Sequence, residues 1–115
     1  MRELSKTFAA LSDPNRIRIL KMLETRPLCV CEIRAVLNLA TSTVSKHLSI
    51  LRNAEFIVDR KEGKWVNFDL NKEQSNEYTR HLLPLLRSWL PNEDQIIKDR
   101  QKVLEVNRNQ ICGLE

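Results

Sequence analysis

The sequence predicts a mainly helical domain with one small β-hairpin, arranged as a winged helix-turn-helix. Two short helical patterns meet at a three-residue link, residues 38–40, and a hairpin pattern surrounds Gly63. Only 2 Gly and 4 Pro occur in 115 residues, which leaves few turn formers and favours helices. With 42% hydrophobic and 30% charged residues, the chain is long enough to bury one core.

Three helices are predicted in the first third of the chain. A short helix covers residues 3–10. A second begins after Asp13, which can cap free amides, with Pro14 at the first helical position, where its missing N–H costs nothing. Pro27 ends this helix, and a third covers residues 31–37.

The fourth predicted helix, residues 41–53, has an unusual outward face. Its inward side chains follow helical spacing and are Val44, Leu48 and Leu51. The outward side is rich in serine and threonine, which are indifferent helix formers, whereas a merely solvated helix more often carries Glu and Lys. Small hydroxyls with a cation suit a surface that approaches bases and phosphates. The residues predicted to enter the major groove of DNA are Thr41, Ser42, Thr43, Ser45, Lys46 and His47.

A β-hairpin is predicted next, with strands at residues 57–61 and 64–68 and Gly63 in the turn. Its tip carries three cations predicted to contact phosphates, namely Arg60, Lys61 and Lys64. Residues 41–66 hold five basic and three acidic side chains, whereas residues 91–115 hold four and five, so basic residues are in excess here and not in the C-terminal tail. An exposed charged loop without a ligand is the alternative.

The last third is again predicted to be helical. Apolar residues keep one face up to Trp89, although Pro84 must kink or restart the helix. We therefore divide the chain into a winged helix-turn-helix unit with dimerisation helices, residues 1–90, and a C-terminal helix and tail, residues 91–115. Helices at both ends carry more apolar surface than one small core can hide, which predicts a homodimer.

Composition also limits the compartment and the chemistry. No apolar run approaches the roughly 18 residues of a membrane span, and the N-terminus does not resemble a secretory signal, so a cytoplasmic protein with free thiols is expected. Neither a Gly-rich phosphate loop nor a catalytic triad pattern is recognisable. An enzyme is therefore not expected.

Three stretches together resemble the ArsR family of winged-helix repressors. They are residues 8–20 (FAALSDPNRIRIL), 43–48 (TVSKHL) and 60–66 (RKEGKWV). The resemblance covers residues 5–90 and implies a homodimer that binds an imperfect palindromic DNA operator and leaves it when an effector binds. Residues 28–32 (LCVCE) further resemble the thiolate motif of arsenite-responsive members. Those members often have a third cysteine where this chain has Arg34.

The candidate inducer site consists of the three cysteines, Cys29, Cys31 and Cys112. Trivalent arsenic or antimony needs three sulfurs, and soft thiolates select such ions; no ion is required for folding. On a regular helix, residues i and i+2 lie about 200° apart, so closing Cys29 and Cys31 around one ion would unwind the helix start and move the recognition helix.

Several alternatives remain open for these thiols. Cys29 and Cys31 could be small buried hydrophobic residues, and Cys112 an incidental thiol. The chain could also sense zinc, cadmium or copper, or act as a thiol redox or persulfide switch.

Overall fold

The computed structural model describes residues 1–107, and within them the chain forms six helices and a three-stranded sheet. The helices are α1 (Arg2–Ala10), α2 (Pro14–Leu23), α3 (Val30–Leu37), α4 (Thr41–Asn53), α5 (Glu77–Ser88) and α6 (Asp94–Glu105). The strands are β1 (Leu28–Cys29), β2 (Ile57–Glu62) and β3 (Trp65–Leu70). This order is a winged helix-turn-helix, as predicted.

The helix-turn-helix is formed by α3 and α4, and α2 packs behind it. Asp13 caps α2 by accepting the Asn15 N–H at 2.7 Å, and Pro14 opens the helix, which confirms both predictions. Asn38 ends α3 with a left-handed φ of 58°, a conformation that asparagine tolerates better than most residues. The chain can therefore reverse within three residues before α4.

The wing is the hairpin of β2 and β3. Glu62 pairs with Trp65, so the loop contains only Gly63 and Lys64, and the strands are longer than predicted. Gly63 has a φ of 63°, as the turn prediction requires. Strand β1 was not predicted, because two residues show no alternation; it pairs with β3 through Leu28 and Phe68. The sheet order is β1-β3-β2.

One hydrophobic core joins these elements. Val44, Leu48 and Leu51 of α4 are buried in it, as predicted. Helix α6 packs on α2 and α3 and contributes Val103, which is fully buried. Beside this contact, the Arg18 guanidinium donates two hydrogen bonds to the buried Asp99 carboxylate, at 2.8 and 3.0 Å.

Helix α5 runs through Pro84 without interruption, so the helix does not restart there. A proline inside a helix removes one backbone hydrogen bond and strains the preceding turn. The end of α5 is stabilised from outside, because the buried Lys21 ammonium donates to the carbonyls of Leu86 and Trp89 at 3.0 and 2.9 Å. The hydrogen bonds from Lys21 of α2 thus offset the free-energy cost of a proline inside α5.

Apolar side chains of α1 and of the end of α5 stay exposed in the single chain. Phe8 is 54% exposed, Leu85 48% and Trp89 47%. The two helices are joined by a buried hydrogen bond from the Asn76 amide to the Thr7 hydroxyl at 3.0 Å. Within residues 1–107, every helix is too short or too polar to cross a bilayer.

Candidate nucleic-acid interface and thiol pair

The predicted reading residues lie on the side of α4 that faces away from the core. Five are exposed and His47 is half-buried; the exposed ones are Thr41, Ser42, Thr43, Ser45 and Lys46. The helix buries every third or fourth side chain on the opposite side, so its polar positions share one solvent-facing surface. No acidic residue occurs in the first turn of α4, which leaves the positive end of the helix dipole uncompensated by side chains.

The cations of the wing are also exposed. Arg60 lies 4.0 Å from the Asp69 carboxylate, a weak surface pair that leaves most of the guanidinium in solvent. Lys61 is exposed, and the Lys64 ammonium lies in the turn, 5.8 Å from the ring centroid of Trp65. Arg52 at the end of α4 is paired with Asp59 at 3.3 Å. The wing therefore presents three cations next to the polar face of α4.

The two cysteines do not lie on one regular helix, as the angular argument assumed. Cys29 is a residue of β1 and the N-cap of α3, with an extended backbone (φ −88°, ψ 168°), whereas Cys31 lies within the first turn. The angular argument for two residues on one regular helix is therefore wrong, because the helix begins only at Val30. Strand pairing with β3 holds Cys29 outside the helix.

The expectation of free thiols is correct for Cys29 and wrong for Cys31. Cys29 is a free, buried thiol, and Cys31 is disulfide-bonded. The third candidate ligand, Cys112, lies outside the described residues.

Cys29 and Glu32 form a reciprocal cap at the start of α3. The Glu32 carboxylate accepts the Cys29 N–H at 3.0 Å, and the Cys29 sulfur accepts the Glu32 N–H. The second Glu32 oxygen accepts from Arg26 at 3.1 Å, and Arg26 also donates to the Val103 carbonyl of α6. Burial is the main cause that raises the pKa of the Cys29 thiol above its ordinary value of 9.0, despite backbone N–H groups directed at the sulfur.

A cavity of about 410 Å³ connects the thiol pair to the predicted DNA-binding elements. Cys29 and Cys31 line one side of it. The other sides are formed by α4 and the wing, through Ser45, Ser49, Arg52, Lys64, Trp65 and Phe68. The two sulfurs, α4 and the wing therefore border the same cavity, although they are far apart in sequence.

The donor set for a metal is incomplete in the described part of the chain. Among residues 1–107, no three His, Cys, Asp or Glu side chains are grouped closely enough to hold an ion. Glu32 is already engaged by Cys29 and Arg26, and Arg34 stands where a third thiolate would be useful. Of the described residues, Cys29 and Cys31 bring two sulfurs to this cavity, and the Cys31 disulfide would have to be reduced before both could bind a thiophilic ion.

Sequence reasoning missed Glu32 and Arg26. A carboxylate three residues after an N-cap is the signature of a capping box, but cysteine in place of serine or threonine hid it. Arg26 gave no comparable signal, because its partners lie in α3 and α6, up to 80 residues away. Only the packing of α6 on α3 brings them together.

Comparison with known proteins agrees with this architecture. Residues 13–58 match the model of the arsR family of bacterial regulatory proteins. The chain is 39% identical to a cadmium resistance transcriptional regulatory protein CadC homolog of Staphylococcus aureus, over 62% of this chain and 60% of that protein. It is 32% identical to the arsenical resistance operon repressor of Bacillus subtilis, over 66% of this chain and 73% of the repressor.

A solved structure is similar in fold. Reduced HlyU from Vibrio cholerae superposes with a TM-score of 0.65 at 26% identity, covering 79% of this chain and 92% of the HlyU chain. The chain spans just over half of the length of several curated relatives that it matches, for example 60% of the CadC homolog. The sequence matches and the shared fold show that the chain belongs to the ArsR family, which consists of helix-turn-helix transcriptional regulators and not of enzymes.

Proposed function

We propose that this chain is a repressor that binds double-stranded operator DNA as a homodimer and leaves it when a thiophilic ion binds its cysteines. The observation that carries the proposal is the shared cavity, in which the thiol pair meets α4 and the wing. It supplies a physical route from an inducer at Cys29 and Cys31 to the elements that would contact DNA.

DNA binding is supported by the polar face of α4 and the cations beside it. We place α4 in the major groove, with Ser42, Thr43, Ser45, Lys46 and His47 at base edges and Thr41 near the backbone. Arg60, Lys61 and Lys64 of the wing would neutralise phosphates. Each is exposed, so none has to be extracted from the core before it binds.

Dimerisation is supported by the exposed apolar residues of α1 and α5. Phe8, Leu85 and Trp89 would gain by burial against a second copy, because apolar area removed from water contributes about 25 cal/mol per Å². A two-fold dimer reads two half-sites about one DNA turn apart, which would make the operator palindromic.

Residues 1–90 would then carry the DNA-binding and dimer contacts, and residues 91–115 would add a sensing tail. Such a regulator works where the DNA is, so we assign it to the cytoplasm.

The inducer we favour is trivalent arsenic or antimony. Cys29 and Cys31 lie on one cavity, and Cys112 is the remaining cysteine that could complete three sulfurs. The relatives carry arsenical and cadmium resistance in their names, so cadmium stays as a rival ion. Zinc and copper stay as rivals because cysteine thiolates also bind them. Binding requires that the Cys31 disulfide be reduced and that the buried Cys29 thiol lose its proton.

A redox switch is the second candidate, and the disulfide at Cys31 favours it. Oxidation of two thiols to a disulfide transfers two electrons and two protons to an oxidant such as peroxide or a persulfide donor. The similar HlyU structure is that of the reduced protein, so a redox state is specified for that relative. In this version the bond itself, and no ion, would alter the start of α3.

The DNA-binding part is tested by the salt dependence of binding to a DNA fragment selected in vitro. Lys61→Ala and Lys64→Ala should each lower the affinity and reduce the log–log salt slope by about 0.9. Lys72→Ala, an exposed lysine after β3, is the matched control and should leave the slope unchanged. If both wing variants keep the affinity and the slope of the unmodified chain, the wing does not contact phosphates.

The inducer is tested by adding arsenite, antimonite, zinc or peroxide to the DNA complex in the presence of a reductant that contains no thiol. Peroxide is added in excess over this reductant. Cys29→Ser and Cys31→Ser should keep DNA binding and lose release by arsenite. Release of these variants at the same arsenite concentration as the unmodified chain would assign the pair to packing. Release by peroxide alone would favour the redox switch.

The third sulfur is tested by X-ray absorption of the arsenite-loaded protein. If Cys112 is a ligand, Cys112→Ser should lower the sulfur coordination number from about three to about two. Exogenous thiols must be excluded, because they would replace the missing ligand. A coordination number of three in the variant would overturn the assignment of Cys112.

A further inference from the structure

We propose that Arg16 is a positioning residue that selects the tautomer of His47 and so makes its Nε2 a hydrogen-bond donor to DNA. This inference rests on the proposed DNA-binding function of α4. Arg16 lies in α2, behind the recognition helix, and its Nη1 is 3.1 Å from His47 Nδ1. The contact joins residues that are 31 positions apart in the chain.

Two neighbouring backbone carbonyls of α1 hold the Arg16 guanidinium in place. Its Nε donates to the Ala10 carbonyl at 2.8 Å, and its Nη2 donates to the Ala9 carbonyl at 3.1 Å. Both carbonyls belong to the last turn of α1, where a helix leaves acceptors unsatisfied. The donor that faces His47 is therefore fixed by backbone contacts that do not depend on DNA.

The chemistry of the pair determines which ring nitrogen carries the proton. A guanidinium has only N–H donors and does not deprotonate in proteins, so it cannot accept a hydrogen bond. The contact therefore requires a lone pair on His47 Nδ1. In the neutral ring the proton must then reside on Nε2, which becomes a donor.

The surroundings of His47 indicate what this donor is for. His47 and Arg16 line a cavity of about 550 Å³ together with Ser42, Thr43 and Lys46, which belong to the proposed DNA-binding face. A fixed Nε2–H fits acceptors such as guanine N7, guanine O6 or a phosphate oxygen, and it rejects the amino groups of adenine and cytosine. Without Arg16, both tautomers would be populated, and part of the protein would present an acceptor at this position.

The tautomer can be measured directly on the DNA-free protein. The chain has 2 His, so long-range ¹H–¹⁵N spectra at pH 8 can be assigned with His81→Gln alone. The unmodified chain should show a protonated Nε2 and an unprotonated Nδ1, and Arg16→Met, which removes the donor, should show a mixture of both tautomers. A protonated Nδ1 in the unmodified chain, or an unchanged tautomer in Arg16→Met, would overturn the proposal.

The consequence for DNA is tested by a double-mutant cycle with Arg16→Met and His47→Gln. Each single variant should weaken binding about three- to tenfold, as expected for one hydrogen bond. In the His47→Gln background, Arg16→Met should cost nothing further, because its effect passes through the ring. Arg80→Met, on the exposed side of α5, is the control that removes a charge elsewhere.

The other readings of Arg16 give different results. If Arg16 binds phosphate itself, Arg16→Met will reduce the salt slope by about 0.9 and the two substitutions will be additive. If Arg16 only joins α1 to α2, its loss will lower thermal stability and weaken DNA binding equally in both backgrounds. Either result overturns the proposal. Failure of the proposed function would instead appear as no DNA binding by the unmodified chain, while the NMR result would still be obtained.

Discussion

The reciprocal cap at the start of α3 provides the sharpest test of how this site is held together. Glu32 is 4% exposed, accepts the Cys29 N–H at 3.0 Å and is paired with Arg26 at 3.1 Å. We expect Glu32→Ala to lower the free energy of unfolding by about 2–3 kcal/mol. Loss of the cap accounts for about 1 kcal/mol, and the buried methylene for about 0.8 kcal/mol. The ion pair adds at most about 1 kcal/mol, because the Arg26 side chain is 36% exposed.

Urea unfolding followed by circular dichroism measures this change, at one protein concentration because dimerisation would make stability concentration-dependent. Glu32→Gln keeps an oxygen acceptor for Cys29 and should lose about 1 kcal/mol or less. Glu73→Ala, an exposed glutamate near the end of the wing, should stay within about 0.5 kcal/mol of the unmodified chain. If Glu32→Ala is as stable as Glu73→Ala, the cap does not stabilise α3 and the reasoning is refuted.

Two further predictions concern buried groups on either side of the core. Lys21→Met should destabilise the chain by about 3–5 kcal/mol, because it leaves the carbonyls at the end of α5 and the Glu24 carboxylate without their cation. Thermal unfolding measures this loss, with Lys72→Met, at an exposed lysine, as the control. Equal losses of stability in the two variants would contradict the prediction. Cys29 should react with iodoacetamide at pH 8 more slowly in the folded chain than in urea, because burial raises its pKa above 9.0. The folded state holds the Cys29 proton more tightly than the unfolded state does. The contribution of this proton to the free energy of unfolding is therefore complete below pH 9.0 and is lost as the pH rises through the raised pKa. Equal alkylation rates in both states would show that the thiol is not protected.

The sequence by itself determined the parts of the fold that depend on local signals. Helix α2 begins at Pro14 because Asp13 and Pro14 are a start signal, and α4 has the predicted bounds because its apolar spacing is regular. Gly63 predicted the turn of the wing, because few other residues adopt a φ of 63° at low cost. The polar face of α4 and the cations of the wing followed directly from these elements.

Tertiary structure decided what depends on residues distant in sequence. Strand β1 exists because β3 offers it a partner, and this pairing holds Cys29 outside α3, so the two cysteines do not share one helix as the angular argument assumed. Pro84 stays inside α5, whose last carbonyls are capped by Lys21 from α2. The cavity shared by the thiols, α4 and the wing, and the contact between Arg16 and His47, arise only when these elements pack. Local propensity acts over one or two turns of chain, whereas such contacts form only after the core has closed.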